Sequence, residues 1–399
     1  MRESTKKQWL ITFAYPWSDK YVYGGGNIIM LLNKEGYNIL WINPMPHGGV
    51  PLGPQSQSYK VLFKRILNKL KSYYAFFRRV NDRFFVITPY FIPMIKNPLI
   101  EKLNILLIKL QILLGARFLR IENPIVCTMG ATDYTSIIKR LNYRIWFHHA
   151  GDLYHDLRHA SDDLKKRLYT TEKSIFNQCD IVFAASYKIM EKINTMVEDR
   201  SKVVYLPHGV DYEHFANREC NEIHFKGLKR PIIGYYGSLT EANDQDIYCA
   251  IAEAGYTLVL IGNVLGDYSK CKKYKNIVFI DAVPYDQIPT YASCFDVAIM
   301  AWKKGRWIEN CNPKKTYEYL ALGLPVVSIP IPQVIRELEE FVRFASTPDD
   351  FVSAIEHEIK FNSEEKKIKR KLRAREESWV KKLEILKKYI YEYDRCYKS

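Results

Sequence analysis

Asn312-Pro313-Lys314-Lys315-Thr316-Tyr317-Glu318-Tyr319-Leu320-Ala321-Leu322-Gly323-Leu324-Pro325-Val326-Val327-Ser328 carries the start and stop signals of a short helix and the strand that follows it. Asn312 is a good N-cap, and Pro313 suits the first helical position, where its missing N–H is not needed. Gly323 fits the left-handed position after the last turn, and Pro325 prevents continuation. The stretch therefore predicts a helix of about three turns that runs into a buried strand, Val326-Val327-Ser328. The N–H groups and positive dipole end of such a helix suit a diphosphate, and Lys314 or Lys315 would add charge there. Glu318, one turn further on, can offer two carboxylate oxygens to vicinal hydroxyls such as those of a ribose. The same residues also fit a capped surface helix in which Glu318 pairs with Lys314 or Lys315.

Short apolar runs surround this element. Ile232–Tyr236, Thr257–Ile261, Ile277–Ile280, Val297–Met300, Pro325–Ile329 and Val342–Ala345 form one series. Gln8–Ala14, Tyr37–Ile42, Phe84–Thr88, Ile125–Thr128, Arg144–Phe147, Ile181–Ala184 and Val203–Leu206 form an earlier one. They do not alternate with polar residues, as expected of parallel strands covered on both faces. Helix-like stretches separate them, so each series predicts an α/β, doubly wound sheet. At 399 residues the chain is long enough for two such domains. The Pro-, Gly- and charge-rich stretch Pro207–Arg230 reads as the linker between them.

These pieces together resemble the group 1, family-4-like glycosyltransferases of the GT-B fold. The stretch Asn312–Ser328 is similar to their N-P-x-K-x-x-E-Y-L-A-x-G-x-P-V-V-S signature. Leu206-Pro207-His208-Gly209-Val210-Asp211-Tyr212-Glu213-His214-Phe215 resembles their linker, with His208 in place of an asparagine. Ile233-Gly234-Tyr235-Tyr236-Gly237-Ser238-Leu239 resembles their glycine turn, and Glu377-Ser378-Trp379 the start of their terminal helix. The resemblance covers most of residues 180–379. It implies two Rossmann-like domains facing a central cleft, with a C-terminal helix returning to the N-terminal domain. The implied bounds are 1–206 for the acceptor domain, 207–375 for the donor domain and 376–399 for the helix. It places the family lysine on Lys315 and the ribose-binding glutamate on Glu318. Gly237, Ser238, Asn312, Pro313 and Thr316 join them as donor-binding candidates. Two positions depart from the family pattern. Asn310 stands where many relatives have a second glutamate, and no basic residue follows Gly237 closely.

In the first half, Gly24-Gly25-Gly26-Asn27 precedes a helical stretch, Ile28–Asn33. Glycines there let a ligand approach the backbone, and Gly25 and Gly26 are donor-binding candidates. They also fit a simple surface turn. His148-His149-Ala150-Gly151-Asp152 follows a predicted strand, and ligands of doubly wound sheets bind at carboxyl ends of strands. His149 and Asp152 are candidates for taking a proton from an acceptor hydroxyl, with Lys315 stabilising the departing diphosphate. No metal or other cofactor is expected, because the nucleotide-sugar is a substrate and the fold needs none.

The activity implied is transfer of a sugar from a nucleotide-sugar to a hydroxyl of a glycan or lipid-linked acceptor, with retention, in cell-surface polysaccharide or glycolipid assembly. The alternatives are a nucleotide-sugar epimerase or hydrolase of the same fold and a non-catalytic partner subunit. The net charge of +15 favours anionic partners, but no nucleic-acid-binding signature is present. Tyr59–Arg79 mixes seven cationic side chains with apolar ones and suits a helix on an anionic membrane surface. Lys366–Arg375 reads as a solvated helix face. The apolar run Leu103–Leu119 is broken by Lys109 and Arg117, so no spanning helix is expected. The eight cysteines are scattered without a C-x-x-C pair. They read as reduced thiols of a cytoplasmic protein, possible membrane contact being peripheral and on the inner face.

Overall fold

Two sheets organise the chain, each built from short runs of Ile, Val, Leu and Phe. The computed structural model describes residues 8–18, 24–44, 76–92, 98–156 and 161–397. The first sheet has strands β1 (Trp9–Phe13), β2 (Asn38–Ile42), β3 (Phe77–Asn81), β4 (Phe84–Ile87), β5 (Ile125–Met129), β6 (Ile145–Ala150), β7 (Ile181–Ala184) and β8 (Val203–Tyr205). Their order is β3-β4-β2-β1-β5-β6-β7-β8, all parallel except β3. Helices α1 (Gly26–Lys34), α2 (Pro98–Phe118), α3 (Asp162–Gln178) and α4 (Tyr187–Asn194) connect them. All residues of β1, β2, β5, β6 and β7 are buried, which explains the unbroken apolar runs.

The second sheet has β9 (Ile232–Tyr236), β10 (Thr257–Ile261), β11 (Ile277–Ile280), β12 (Val297–Met300), β13 (Val326–Ser328) and β14 (Val342–Phe344). It is parallel throughout, in the order β11-β10-β9-β12-β13-β14. The chain winds outward from β9 in both directions, so the topological switch lies between β9 and β12. Its longer helices are α5 (Gln245–Glu253), α6 (Lys314–Ala321), α7 (Pro348–Lys360) and α8 (Glu364–Glu376), followed by the terminal helix α9 (Trp379–Tyr397). The chain divides into two compact units. One runs to Pro207 and takes in the chain from Leu383 onward, and the other is His208–Lys382. Within the first unit, Tyr393 Oη donates to Asp180 Oδ1 (2.7 Å) and Lys387 Nζ to Glu35 Oε2 (2.7 Å).

Several expectations are corrected. Residues 59–75 of the basic segment lie outside the described residues, but Phe77–Arg79 belongs to strand β3, not to a helix. A two-residue turn reverses the chain there, and Arg83 N–H donates to Asn81 Oδ1 (2.8 Å) to close it. The supposed linker is part of the second unit from His208 on, with a helical turn at Tyr212–Phe215 capped by Asp211. Helix α8 is not simply a solvated face. Arg370 is buried, and its Nε donates to the Gly323 carbonyl (2.9 Å). Cys220 and Cys294, 74 residues apart, form a disulfide. No spacing pattern marks a pair that only the fold brings together, and cysteine usage no longer argues for a reducing compartment. Cys127, Cys179, Cys249 and Cys271 are free thiols. Among the described residues, no helix is long and apolar enough to cross a membrane.

Candidate active site

Glu318 sits at the middle of α6 with only 4% of its surface exposed. A buried carboxylate needs hydrogen-bond donors, and two tyrosines supply them. Tyr236 Oη, at the end of β9, donates to Oε2 at 2.6 Å. Tyr285 Oη donates to Oε1 at the longer distance of 3.4 Å. Burial and the neighbouring carboxylate push both phenols above their ordinary pKa, so both keep the proton they donate. The Tyr285 ring in turn stacks on His214, with centroids 5.0 Å apart. Neither Lys314 nor Lys315 pairs with Glu318 among the described residues, so the plain salt-bridged helix is not what forms.

Lys315 points elsewhere. Its ammonium donates to Tyr235 Oη at 3.1 Å and lies 4.7 Å from the Tyr235 ring centroid and 5.7 Å from that of Trp302. Trp302 Nε1–H also donates to Tyr235 Oη, at 3.3 Å. Burial alone would raise the Tyr235 pKa, but the Lys315 ammonium and hydrogen bonds from Asn243 and Trp302 outweigh it and hold it below 10. The Gly237 turn, φ +134°, passes over this ammonium, and a Cβ at Gly237 would collide with Lys315 Nζ. The turn follows β9 at the switch point of the sheet. Glu318, Lys315 and Gly237 are thus brought together at one end of it, with Ser238 exposed beside Gly237.

The start of α6 differs from expectation. The helix has eight residues, Lys314–Ala321, with Pro313 as its N-cap in extended geometry. Asn312 is therefore one residue before the cap, not the cap, and the cap residue makes no side-chain hydrogen bond to the first turn. Proline at the cap has no side-chain acceptor to offer it. Asn312, Pro313 and Thr316 are buried, Thr316 completely. Gly323 does take the left-handed position, φ +79°.

In the first unit, β6 extends to Ala150, so His148 and His149 lie inside the strand and not in the loop after it. They pair across the ladder with Thr128 and Met129 of β5. His148 Nδ1 and Thr128 Oγ1 are 2.9 Å apart. Burial lowers the His148 pKa to about 3 and that of His149 to about 4, so both are neutral. Gly25 packs against the His149 ring, where a Cβ would stand 2.9 Å from Cγ and Nδ1. Gly25 is the N-cap position of α1, and Gly26 opens the helix. Asp152 follows β6 and is exposed. Partial loss of hydration, reinforced by the Glu172 carboxylate, pushes its pKa up to about 6. Glu172 is itself buried and accepts from Tyr154 N–H (2.7 Å) and His155 N–H (3.3 Å). Among the described residues, no group of three or more His, Cys, Asp or Glu is placed to hold a metal.

Sequence reasoning gave no role to Tyr235, Tyr236, Tyr285 or Trp302. Tyr235 and Tyr236 sit in an apolar run and read as core, which they also are. Tyr285 lies 33 residues from Glu318, and nothing in its neighbourhood announces the contact.

No family model matches the chain. The putative teichuronic acid biosynthesis glycosyltransferase TuaH of Bacillus subtilis (strain 168) is 24% identical over 233 residues, 55% of this chain and 58% of that protein. The chain thus matches somewhat over half the length of that curated relative. Among solved structures, sucrose-phosphate synthase of Thermosynechococcus elongatus superposes with a TM-score of 0.69 at 13% identity, covering 97% of this chain and 99% of that one. HepE of Anabaena in complex with UDP superposes at 0.63 and 11% identity, covering 96% and 100%. With its two parallel doubly wound sheets and these neighbours, the chain has the GT-B fold of the glycosyltransferases.

Proposed function

We propose that the protein is a glycosyltransferase that takes a sugar from a nucleotide-sugar, of the UDP class, and passes it to a hydroxyl of a glycan or lipid-linked acceptor. The observation that carries this reading is Glu318, a buried carboxylate whose two oxygens each already accept a hydroxyl hydrogen bond. A ribose diol offers the same two donors. Lys315 beside the Gly237 turn, and the first turn of α6, suit the diphosphate. Breaking the bond from the anomeric carbon to the phosphate oxygen leaves negative charge on the diphosphate, where those groups offset it. Asp152, with a pKa near 6, suits a proton acceptor at neutral pH better than His149, whose low pKa makes it a weak base. HepE was solved with UDP and with UDP-glucose, which supports the uridine donor. TuaH is named for teichuronic acid biosynthesis, which supports a place in polysaccharide assembly; a cell-surface product and retention are what the family resemblance implies. Gly25, Gly26, Ser238, Asn312, Pro313 and Thr316 complete the proposed donor-binding set as backbone and supporting positions.

Calorimetric titration with UDP tests the donor site. Glu318→Ala should weaken UDP binding by about tenfold or more, since hydrogen bonds to a charged group contribute about 1.5–3 kcal/mol each. Unchanged affinity in a folded variant would overturn the assignment.

A further inference from the structure

Helix α2 is built the wrong way round for a helix facing water. Its two uncharged amide residues, Asn104 and Gln111, point inward. Asn104 is fully buried, accepting from Ile92 N–H (2.6 Å) and donating to the Ile92 carbonyl (2.9 Å). Gln111, two turns on and on the same side, makes the equivalent pair with Tyr90 (2.8 and 2.9 Å). Ile108, Ile112 and Ala116 complete this inner face. The outward side carries Leu99, Leu103, Leu106, Leu110 and Leu114, at the four- and three-residue spacing of one helix face. Leu99 and Leu114 are 76% and 65% exposed, the other three about half. Phe118, 78% exposed, ends the ridge. The helix has 21 residues, so the ridge is about 30 Å long. A leucine ridge of this length on an otherwise charged protein marks an interaction surface.

The charges beside it say which. Lys102 and Lys109 stand two turns apart along one edge, and Arg117 lies at its far end. None of the three is ion-paired among the described residues. Strand β3 reaches the same end, its Phe77 ring 5.9 Å from that of Phe118, and carries the exposed Arg78 and Arg79. A second copy would bring like charges of a +15 chain together. An apolar ridge bordered by cations complements lipid tails bordered by anionic headgroups.

We propose that the outer face of α2 seats the protein on an anionic lipid bilayer, lying in the interface with its leucines among the acyl chains and Lys102, Lys109 and Arg117 at the headgroups. The surface goes beyond the proposed transfer reaction and does not depend on it. Because attachment is part apolar, it differs from purely electrostatic adsorption: salt screens the cations but leaves the leucine term.

Vesicle co-sedimentation tests this, using phosphatidylcholine alone and phosphatidylcholine mixed with phosphatidylglycerol. The wild-type protein should bind the mixed vesicles, bind the neutral ones more weakly, and keep a residual fraction bound at high salt. Leu106→Glu/Leu110→Glu should lower binding to mixed vesicles at least about tenfold. Lys102→Gln/Lys109→Gln should lower it about fivefold per charge. These side chains are on the surface, and circular dichroism melts should match the wild type. Undiminished binding by the leucine variant overturns the proposal, as does absence of wild-type binding to both vesicles. Sedimentation velocity without lipid adds a third arm: self-association abolished by the leucine substitutions would overturn it in favour of a second copy. UDP titration reads the second unit independently, so failure here and failure of the donor site are separate results.

Discussion

Two adjacent lysines, Lys314 and Lys315, show what a single residue's environment decides. The sequence signature alone allowed either to meet a phosphate, and family register singled out Lys315. The structure supplies a physical difference between them. Lys315 is held by the Tyr235 hydroxyl and the faces of Tyr235 and Trp302 under the Gly237 turn, so its ammonium is preorganised for the diphosphate proposed to bind there. Preorganised charge is the kind that speeds departure of an anionic leaving group. Lys315→Ala should therefore lower kcat for sugar transfer by about 10²-fold or more, while Lys314→Ala stays within about threefold. Steady-state kinetics on both variants with a UDP-sugar checks this. Equal losses would show that the first turn of α6 contributes charge without regard to position. The partners that hold Lys315 were not legible beforehand, because a tyrosine in an apolar strand gives the same signal whether its hydroxyl is idle or engaged.

At the scale of elements, legibility followed hydrophobic periodicity and failed where a side chain served two environments. β1, β2, β9, β10, β12 and β13 were found within a residue or two, being buried on both faces. β6 runs on through His148 and His149 because burial keeps those imidazoles neutral, and polarity alone had suggested an ending. β3 was missed because an edge strand with exposed arginines resembles a basic helix face. The charge run of α8 misled in the same way. Seven of its thirteen residues are Lys or Arg, yet Arg370 is inside. Its Nε holds the Gly323 carbonyl and its Nη2 the Asn362 side chain (2.5 Å), so α8 satisfies the end of α6, the helix that carries Glu318. Arg370→Met keeps the length of the side chain but leaves both acceptors unpaired. It should destabilise the second unit by about 1–3 kcal/mol, whereas Lys369→Met next to it, paired only at the surface with Glu365, should cost less than about 1 kcal/mol. Urea denaturation followed by tryptophan fluorescence separates the two, and equal midpoints would mean that Arg370 is as solvated as its neighbours.

For the molecule as a whole, the chain crosses from one unit to the other and later returns: residues from Leu383 onward belong with the first unit, although everything from His208 to Lys382 belongs to the second. The returning segment is held by burial as well as polar contacts. Leu383, Leu386 and Ile390 are buried, one face of α9. Arg144 pairs with Asp394, Nε to Oδ1 at 3.1 Å, and Tyr393 and Lys387 make the bonds to Asp180 and Glu35 described above. Asp180 is also tied to the sheet, accepting from Trp146 N–H at 2.7 Å, so the segment reaches the backbone of β6 through one intermediary. Removing residues 383–399 would take away the burial of three apolar side chains and bare the surface they cover, at about 1.5–3 kcal/mol each, and strip a partner from Arg144. That loss is comparable to the whole stability of many domains. The elements of the proposed donor site, α6, β9 and the Gly237 turn, are all retained in the second unit. A chain ending at Lys382 should therefore lose the thermal transition of the first unit, or show it at markedly lower temperature. A second transition that still rises on addition of UDP should remain, because a ligand stabilises only the unit that binds it. Differential scanning calorimetry with and without UDP reads both at once. If the truncated chain kept its first transition, the terminal segment would be an ornament of that unit; if it lost the UDP-dependent rise, the donor site would need more than the second unit supplies.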